Sequence, residues 1–541
     1  MAAPLSSASY PAPLTGVVAI PVPSPRRRCA ETLSACLLLG LTLSACGDTT
    51  NTRVVATKLA VTGQPIQAEV NAVLTPPLLV EVQDARGNRL AGSTDAVSVA
   101  LGTDPRGSTL SGSTTLNAVD GVATFADLSI NHGGTGFTLR LGAARLDSAS
   151  TAPFDVLFTV ASLTTGGEHS CAAQITGRAY CWGTIDRGVG VVDQLGGTPI
   201  LVSGGQSFVA ADAGRAVTCA VTGVGTTYCW GPNEFGQLGD DHAGTTSATP
   251  VLVQGGVNFI SVSVGGDHAC GLTAGGTAYC WGYNGTGQLG DTTTVNCPGT
   301  FTGTWPCSPT PMPVEGGLVF RNVSAGESHT CGATTTNVAY CWGNNADFQL
   351  GTSTTETCAT TGDQFCSRTP LPVAGGRSFT QVSAGLWHSC GITTGGEAYC
   401  WGRNGFGQLG NGNAGTDSPM PVPVAGGLSF ASVTTGLWHT CGLTINGVAY
   451  CWGDSRVGQL GVDPNTGSCP GGFPCSQTPV LVRGGHTLIA LQAGGNTSTA
   501  AHTCGVTASG AAYCWGANRQ GQLGDGNQGT DSAVPVRVTP P

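Results

Sequence analysis

The stretch Ile260-Ser261-Val262-Ser263-Val264-Gly265-Gly266, followed by His268-Ala269-Cys270-Gly271-Leu272-Thr273-Ala274-Gly275-Gly276-Thr277-Ala278-Tyr279-Cys280-Trp281-Gly282, decides how this chain folds. Ile260 to Val264 alternates apolar and polar residues and ends at two glycines. His268 to Thr273 can form a second strand, Ala274-Gly275-Gly276 a turn, and Thr277 to Trp281 a third strand. Period-two alternation between Gly-rich turns is the signature of hairpins. The turn lies midway between Cys270 and Cys280, so the two cysteines oppose each other across the hairpin. Directly opposed residues have Cβ atoms about 4.5–5.5 Å apart, and a small adjustment brings them to disulfide distance. A loop this short stabilises by roughly 3 kcal/mol when closed. In the third strand Tyr279 and Trp281 share one face and Cys280 takes the other.

Tyr-Cys-Trp-Gly recurs seven times, beginning at Tyr180, Tyr228, Tyr279, Tyr340, Tyr399, Tyr450 and Tyr513. Each of its cysteines follows another by ten residues, giving the pairs Cys171 and Cys181, Cys219 and Cys229, Cys270 and Cys280, Cys331 and Cys341, Cys390 and Cys400, Cys441 and Cys451, and Cys504 and Cys514. Successive copies start 48 to 63 residues apart, the spacing of propellers and related arrays. Both faces of such a sheet carry bulky groups, so each sheet packs between two others; a linear stack or a closed ring satisfies this, and the ring needs no caps. The closing segment Val534-Pro535-Val536-Arg537-Val538 matches Pro311-Met312-Pro313-Val314 and Pro421-Val422-Pro423-Val424, which precede later repeats. On that reading it opens a repeat that never follows and completes the first blade as a latch.

The cycle Val-Ser-Ala-Gly, His-x-Cys-Gly-Leu, Tyr-Cys-Trp-Gly, Asn-x-x-Gly-Gln-Leu-Gly and Pro-x-Pro-Val resembles the regulator-of-chromosome-condensation (RCC1) repeat. The resemblance covers about residues 158–541 and implies a seven-bladed β-propeller. Gly-Gln-Leu-Gly begins at Gly236, Gly287, Gly407, Gly458 and Gly521; the fourth copy departs to Phe348-Gln349-Leu350-Gly351, and the first lacks it. Residues 58–157 have another texture. Leu78 to Asp84, Val97 to Leu101, Gly121 to Phe125 and Phe137 to Leu141 read as short strands between tight turns, which fits a β-sandwich. Val82-Gln83-Asp84-Ala85-Arg86-Gly87-Asn88 is similar to bacterial immunoglobulin-like modules, and by that resemblance the module is a stalk. The fold class expected is therefore all-β, a seven-bladed propeller preceded by a small Ig-like sandwich.

Residues 1–46 read as a leader. Arg26, Arg27 and Arg28 give a basic start, Ala35 to Leu43 an apolar run too short to span a bilayer as a helix, and Leu43-Ser44-Ala45-Cys46 its end. That ending resembles the bacterial lipobox, which implies lipidation of Cys46 and a lipid-anchored place in the cell envelope. Residues 47–57 form a polar tether. Of 23 cysteines, three (Cys29, Cys36, Cys46) fall in the leader and twenty are regularly spaced, as in a disulfide framework formed in an oxidising compartment.

Charged residues make up only 10% of the chain and the net charge is −10. Non-specific nucleic-acid binding needs clustered Lys and Arg, so no nucleic-acid partner is expected. Three further pairs, Cys297 with Cys307, Cys358 with Cys366 and Cys469 with Cys475, sit in longer connections at one repeat position, so the stapled loops should emerge on one face. They enclose Trp305, Phe365 and Phe473. These rings are either anchors for a partner or packing beneath their own loops.

His169, His268, His329, His388, His439 and His502 each precede a hairpin cysteine by two residues, with Val217 in the second copy. A metal pair or a Cys–His nucleophile needs a thiolate, and here the sulfur is spent in a disulfide. A structural role, bonded to backbone between blades, fits better. Asp525, Asn527 and Asp531, with Asn411, Asn413 and Asp417 in the same layout, offer oxygen ligands but lack EF-hand spacing and are equally ordinary in turns. No phosphate-binding loop or nucleophile elbow is found. The expectation is a monomeric, non-enzymatic binding protein without cofactor or metal, recognising a protein or glycan through loops. Nucleotide exchange, as in nuclear members of the resembled family, and a polysaccharide-acting enzyme on the same scaffold are the alternatives.

Overall fold

The computed structural model describes residues 54–186, 192–292, 295–298, 304–358, 365–464 and 467–541. The leader with Cys46, and most of the tether, lie outside the described residues. Among the described residues the regular elements are strands, and no helix is long and apolar enough to cross a membrane.

From Val160 onward the strands form seven consecutive antiparallel sheets of four or five strands. The third is typical: Ser261–Val264 pairs with His268–Leu272, that with Ala278–Tyr283, and that with Thr304–Pro313. Cys270 stands opposite Cys280 in register, and the same pairing recurs in every sheet, from Cys171 opposite Cys181 to Cys504 opposite Cys514. All seven hairpin disulfides are formed, with Cα atoms 4.0 or 4.1 Å apart. The first strand of each sheet lines a cavity of about 520 Å³. Every sheet runs in the same sense. The turns after first strands and the loops after third strands therefore leave at one end, the loop end. The hairpin turns and the connections between sheets leave at the other.

Each sheet packs its disulfide against the Trp of the next. Cys219 and Cys229 lie with Phe259 and Trp281, Cys270 and Cys280 with Phe320 and Trp342, Cys441 and Cys451 with Leu488 and Trp515. The seventh sheet's Cys504 and Cys514 lie with Trp182 of the first. Trp Nε1 donates to the backbone carbonyl of the Gln in the preceding sheet's Gly-Gln-Leu-Gly or equivalent turn: Trp281 to Gln237, Trp342 to Gln288, Trp401 to Gln349, Trp452 to Gln408, Trp515 to Gln459 and, across the seam, Trp182 to Gln522, all at 2.9–3.1 Å. The turn is built to aim that carbonyl. In the third sheet Asn284 Oδ1 accepts from Leu289 N, Gln288 Oε1 accepts from Thr286 N, and Gly290 lies at φ +73° with its Cα so near Trp342 that a Cβ would meet Nε1 at 2.8 Å.

The expected latch is corrected. Ser532–Arg537 pairs with Ala512–Gly516 inside its own sheet, placing Val536 opposite Cys514 just as Val422 stands opposite Cys400. The Pro-rich segment is thus the outer strand of the sheet it ends. The first sheet already holds four strands of its own, Val160–Thr165, His169–Gln174, Ala179–Asp186 and Val192–Leu201, and has no vacancy to fill.

The histidines bridge sheets through a hydroxyl, and of the six His502 also bonds backbone, at the Ala500 carbonyl. Nε2 of His169, His268, His329, His388, His439 and His502 lies 2.8–3.0 Å from Oγ of Thr218, Thr330, Ser389, Thr440, Thr503 and Ser170, each on the following sheet. Five of these hydroxyls also donate to the Gln carbonyl that receives the Trp. A hydroxyl has one proton, so Thr330, Ser389, Thr440 and Thr503 accept from the imidazoles of His268, His329, His388 and His439, which are neutral with the proton on Nε2 and Nδ1 unpartnered. His502 differs, its Nδ1 lying 2.9 Å from the Ala500 carbonyl.

Residues 58–157 fold into three small sheets and a two-stranded pair around one core of Val80, Val82, Val97, Leu139, Phe137 and Phe154. They pack on the hairpin end of the first and seventh sheets. Tyr180 is fully buried in the module's core cluster, with its hydroxyl 3.0 Å from Asn71 Nδ2 and its ring edge-on to Phe158. Glu69 accepts from Thr159 and Gln174. Gly133 N and Arg106 donate to the carbonyls of Pro541 and Pro540.

Burial holds five of these imidazoles near pKa 3, and His502 near 4, against 6.5 when free. Between those values the unfolded chain binds protons that the folded chain refuses, so stability is complete above pH 6.5 and lost as pH falls. Each imidazole contributes up to about 1.4 kcal/mol per pH unit. Glu327, pushed up to about 6 by burial, offsets one of them. The denaturation midpoint should fall steeply from pH 6 to 4, with net proton uptake on unfolding, reduced in part by the buried carboxyls of Asp212, Asp267, Asp347 and Asp454, whose pKa folding also raises. A flat profile over that range would contradict the neutral buried pairs.

Candidate functional site

After the Gly that closes each first strand (Gly166, Gly214, Gly265, Gly326, Gly385, Gly436 and Gly494), two residues precede the His or Val217, seven in the last copy, and they differ from sheet to sheet. On one side of the cavity mouth they include Glu168, Arg215, Asp267 and Glu327; on the other they are Leu386, Trp387, Leu437 and Trp438. The loop end is therefore divided into a charged half and an aromatic half.

On the aromatic half, Trp387 stacks on Trp438 (centroids 5.8 Å apart), Trp438 on Phe406 (4.7 Å), and Phe406 meets Phe473 at 5.8 Å. The guanidinium of Arg456 sits 4.9 Å from the Phe406 and Trp438 centroids and 5.2 Å from that of Phe473, while Arg403 lies 4.7 Å over Trp387. Cations over ring faces gain from the ring quadrupole. Arg456 is fixed by a two-point bond to Asp454, Nε to Oδ1 at 2.8 Å and Nη2 to Oδ2 at 3.0 Å. Asp454 is only 1% exposed, and burial raises its carboxyl pKa while Arg456 lowers it.

On the charged half, Arg215 reaches Asp267 at 3.0 Å and Glu327 at 3.6 Å. Burial raises both carboxyls, that of Glu327 to about 6, against the pull of Arg215. A second cavity, of about 430 Å³, opens here between Arg215, Glu234, Asp267, Glu327 and Asn496. Beside it Phe235 and Tyr283 are 4.9 Å apart and Trp305 lies 6.5 Å from Tyr283. Burial and the charge on Asp267 both raise the Tyr283 phenol.

The three loop cysteine pairs are joined, with Cα atoms 5.7 or 5.8 Å apart, and all leave the sheets at the loop end. Val295–Pro298 and Ser468–Cys469 each add a strand beside the outer one. Their rings separate into different surroundings. Trp305 is half-buried beside Tyr283, Phe473 joins the Arg456 cluster while 42% exposed, and Phe365 is 50% exposed with its carbonyl taken by Asn345 N. Glu356, Cys358 and Cys366 are close enough to resemble a metal site, but both sulfurs belong to one disulfide and are not thiolates. The Asp and Asn oxygens weighed for calcium accept turn N–H groups: Asp525 Oδ1 from Asn527 N and Asn518 Nδ2, Asp531 from Asn518 N, Asp417 from Asn404 N. The histidines are buried beneath the loops and face the neighbouring sheet.

Sequence reading passed over Trp387, Trp438, Phe406, Arg403 and Arg456. A signal existed: with Trp305, Trp387 and Trp438 are the tryptophans outside Tyr-Cys-Trp-Gly, and both stand in Gly-Leu-Trp-His.

The model of the RCC1-like domain matches residues 132–500, and that of the regulator of chromosome condensation (RCC1) repeat matches residues 509–541. The chain belongs to the RCC1-like domain family. It is 30% identical over 309 residues to the ultraviolet-B receptor UVR8 of Arabidopsis thaliana, covering 56% of this chain and 64% of UVR8. It is 30% identical over 230 residues to protein pim1 of Schizosaccharomyces pombe, 40% of each chain. The matches thus span less than two thirds of either relative. Among solved structures, Prp20p of Saccharomyces cerevisiae superposes with a TM-score of 0.56 at 20% identity, over 71% of this chain and 87% of Prp20p, a likeness of fold. Both family members and fold neighbours agree with an all-β, propeller-like body.

Arg456→Met should leave the Asp454 carboxylate buried without its cation and lower stability by about 3–5 kcal/mol. Arg403→Met, whose partner Asp347 is better exposed, should change it by less than about 1 kcal/mol. Urea midpoints of the two variants decide; equal losses would mean that Arg456 is not the pinned residue of the cluster.

Proposed function

We propose that this RCC1-like chain is a non-enzymatic binding protein: a closed seven-bladed propeller whose loop end recognises a protein, carried by an Ig-like module on its opposite end. The observation that carries the reading is the division of labour between the two ends. The hairpin end of the first and seventh sheets is covered by residues 58–157, which bury Tyr180. The loop end presents partly exposed rings, two arginines held over them and three stapled loops. Aromatic residues and Arg dominate binding hot spots, and cross-linked loops lose less entropy when they bind. Seven sheets that each pack a disulfide on the next sheet's Trp, the seventh meeting the first through Trp182 and His502, support the closed ring. A family precedent for protein partners is Prp20p, whose described binding is to Gsp1p and histones.

The partner belongs to the cell envelope on our reading, with Cys46 lipidated and the chain exported. Twenty paired cysteines fit an oxidising compartment. Metabolic labelling with palmitate should mark the wild-type chain and fail on Cys46→Ala; label retained by the variant would remove the anchor.

A photo-crosslinking residue at Phe473, on the loop end, should yield discrete protein adducts from envelope fractions, whereas one at Ile445, 72% exposed on a hairpin turn, should not. Adducts from Ile445 alone, or equally from both, would sink the loop-end reading.

A further inference from the structure

The 430 Å³ cavity of the charged half is lined by three acids, Glu234, Asp267 and Glu327, and one base, Arg215, a formal excess of two negative charges. One guanidinium divides itself between Asp267 at 3.0 Å and Glu327 at 3.6 Å. Two carboxylates sharing one cation in a partly desolvated place are under-compensated, and their environment favours a further positive charge. The cavity is far larger than a bare ion needs, and Asn496 Oδ1, a buried acceptor on its lining residue, has no hydrogen-bond partner. The neighbouring surface is aromatic. Phe235 directly follows Glu234, Tyr283 senses the charge on Asp267, and Trp305 stands beside Tyr283 at the edge of a stapled loop.

We propose that this cavity receives the side chain of a Lys or Arg from a protein partner, while the partner's adjacent apolar residue lies on Phe235, Tyr283 and Trp305. The inference rests on the loop end being the binding surface and names the chemistry it selects. Charge complementarity chooses the cation: an acidic or phosphorylated segment would meet Glu234, Asp267 and Glu327 with like charge, which is penalised strongly at a desolvated interface. The rings choose a polypeptide over a free small cation, because they supply the apolar contact area that a flanking side chain needs. A volume of about 430 Å³ leaves room for a long side chain, which buries its methylenes while its charged head reaches the carboxylates.

The test selects a phage-displayed library of random dodecapeptides on the full chain at pH 7.5. Enriched peptides should carry Lys or Arg next to an aromatic or aliphatic residue. A synthetic copy of the best one should weaken at least tenfold when its basic residue becomes norleucine. The same loss should appear with Asp267→Asn/Glu327→Gln, and a several-fold loss with Trp305→Ala. Melting curves of both variants verify their fold, and the norleucine peptide needs no change in the protein. Winners without a basic residue, basic winners that bind the Asp267→Asn/Glu327→Gln chain equally well, or no enrichment would each overturn the inference. Adducts that still form at Phe473 would show that loop-end binding stands while the cation preference falls. Loss of both would remove the two together.

Discussion

One carbonyl group at six of the seven junctions holds the array of sheets together. The Gln oxygen in the turn of one sheet takes an indole N–H and, at five junctions, a hydroxyl from the next, while the first sheet's imidazole reaches the same hydroxyl. Each bond contributes about 1 kcal/mol net, but leaving a buried partner unpaired costs about 1–3 kcal/mol. The arrangement therefore selects geometry more than it adds stability. Affinity between sheets comes from the Trp and Phe packed on the preceding disulfide, where truncation of an aromatic ring costs about 3–5 kcal/mol. Residues such as Gly290 follow from that closeness, since the next indole occupies the space a side chain would need.

The junction between the second and third sheets shows how tightly the parts are coupled. The second sheet has Val217 where the others have His, and the third has Ala269 where its counterparts carry Ser or Thr. Both are buried, and Val217 and Ala269 lie in one apolar cluster with Trp281. Both members of the polar pair are absent together. Losing the His alone would leave a hydroxyl without its donor, and losing the hydroxyl alone would leave an imidazole N–H unpaired in the dry interior. Replacing both by apolar groups avoids either cost, and the Trp281 to Gln237 bond is kept.

This explains what could be read from the chain and what could not. Hairpins, cysteine registers and the repeat were legible, because they depend on spacing within one strand pair. The hydroxyl partner of the histidines was missed because it lies about 50 to 64 residues away on another sheet, or across the seam between Ser170 and His502, although the residue before each cysteine already carried it. The Pro-rich strand was assigned to the wrong sheet for the same reason: local pattern identifies a strand, and its neighbour is fixed by register, Val536 against Cys514. The stapled rings were found through their cysteines. Trp387 and Trp438 were hidden, since tryptophan elsewhere in the repeat is a core residue and only its off-motif place distinguished these two.

The two residues between Gly and His at the loop end carry no part of the shared carbonyl contact, so packing between sheets leaves them free to vary. They have varied in a sorted way, with charge on one side of the cavity mouth and stacked rings on the other. Rings stacked at a surface and carboxylates sharing a cation are costly arrangements for a fold that needs neither. At the opposite end an equivalent surface around Tyr180 is covered by the module, and there the chain buries its ring completely. A surface left open with such groups, on a frame held rigid by seven hairpin disulfides and interlocking indoles, is organised for contact with another molecule.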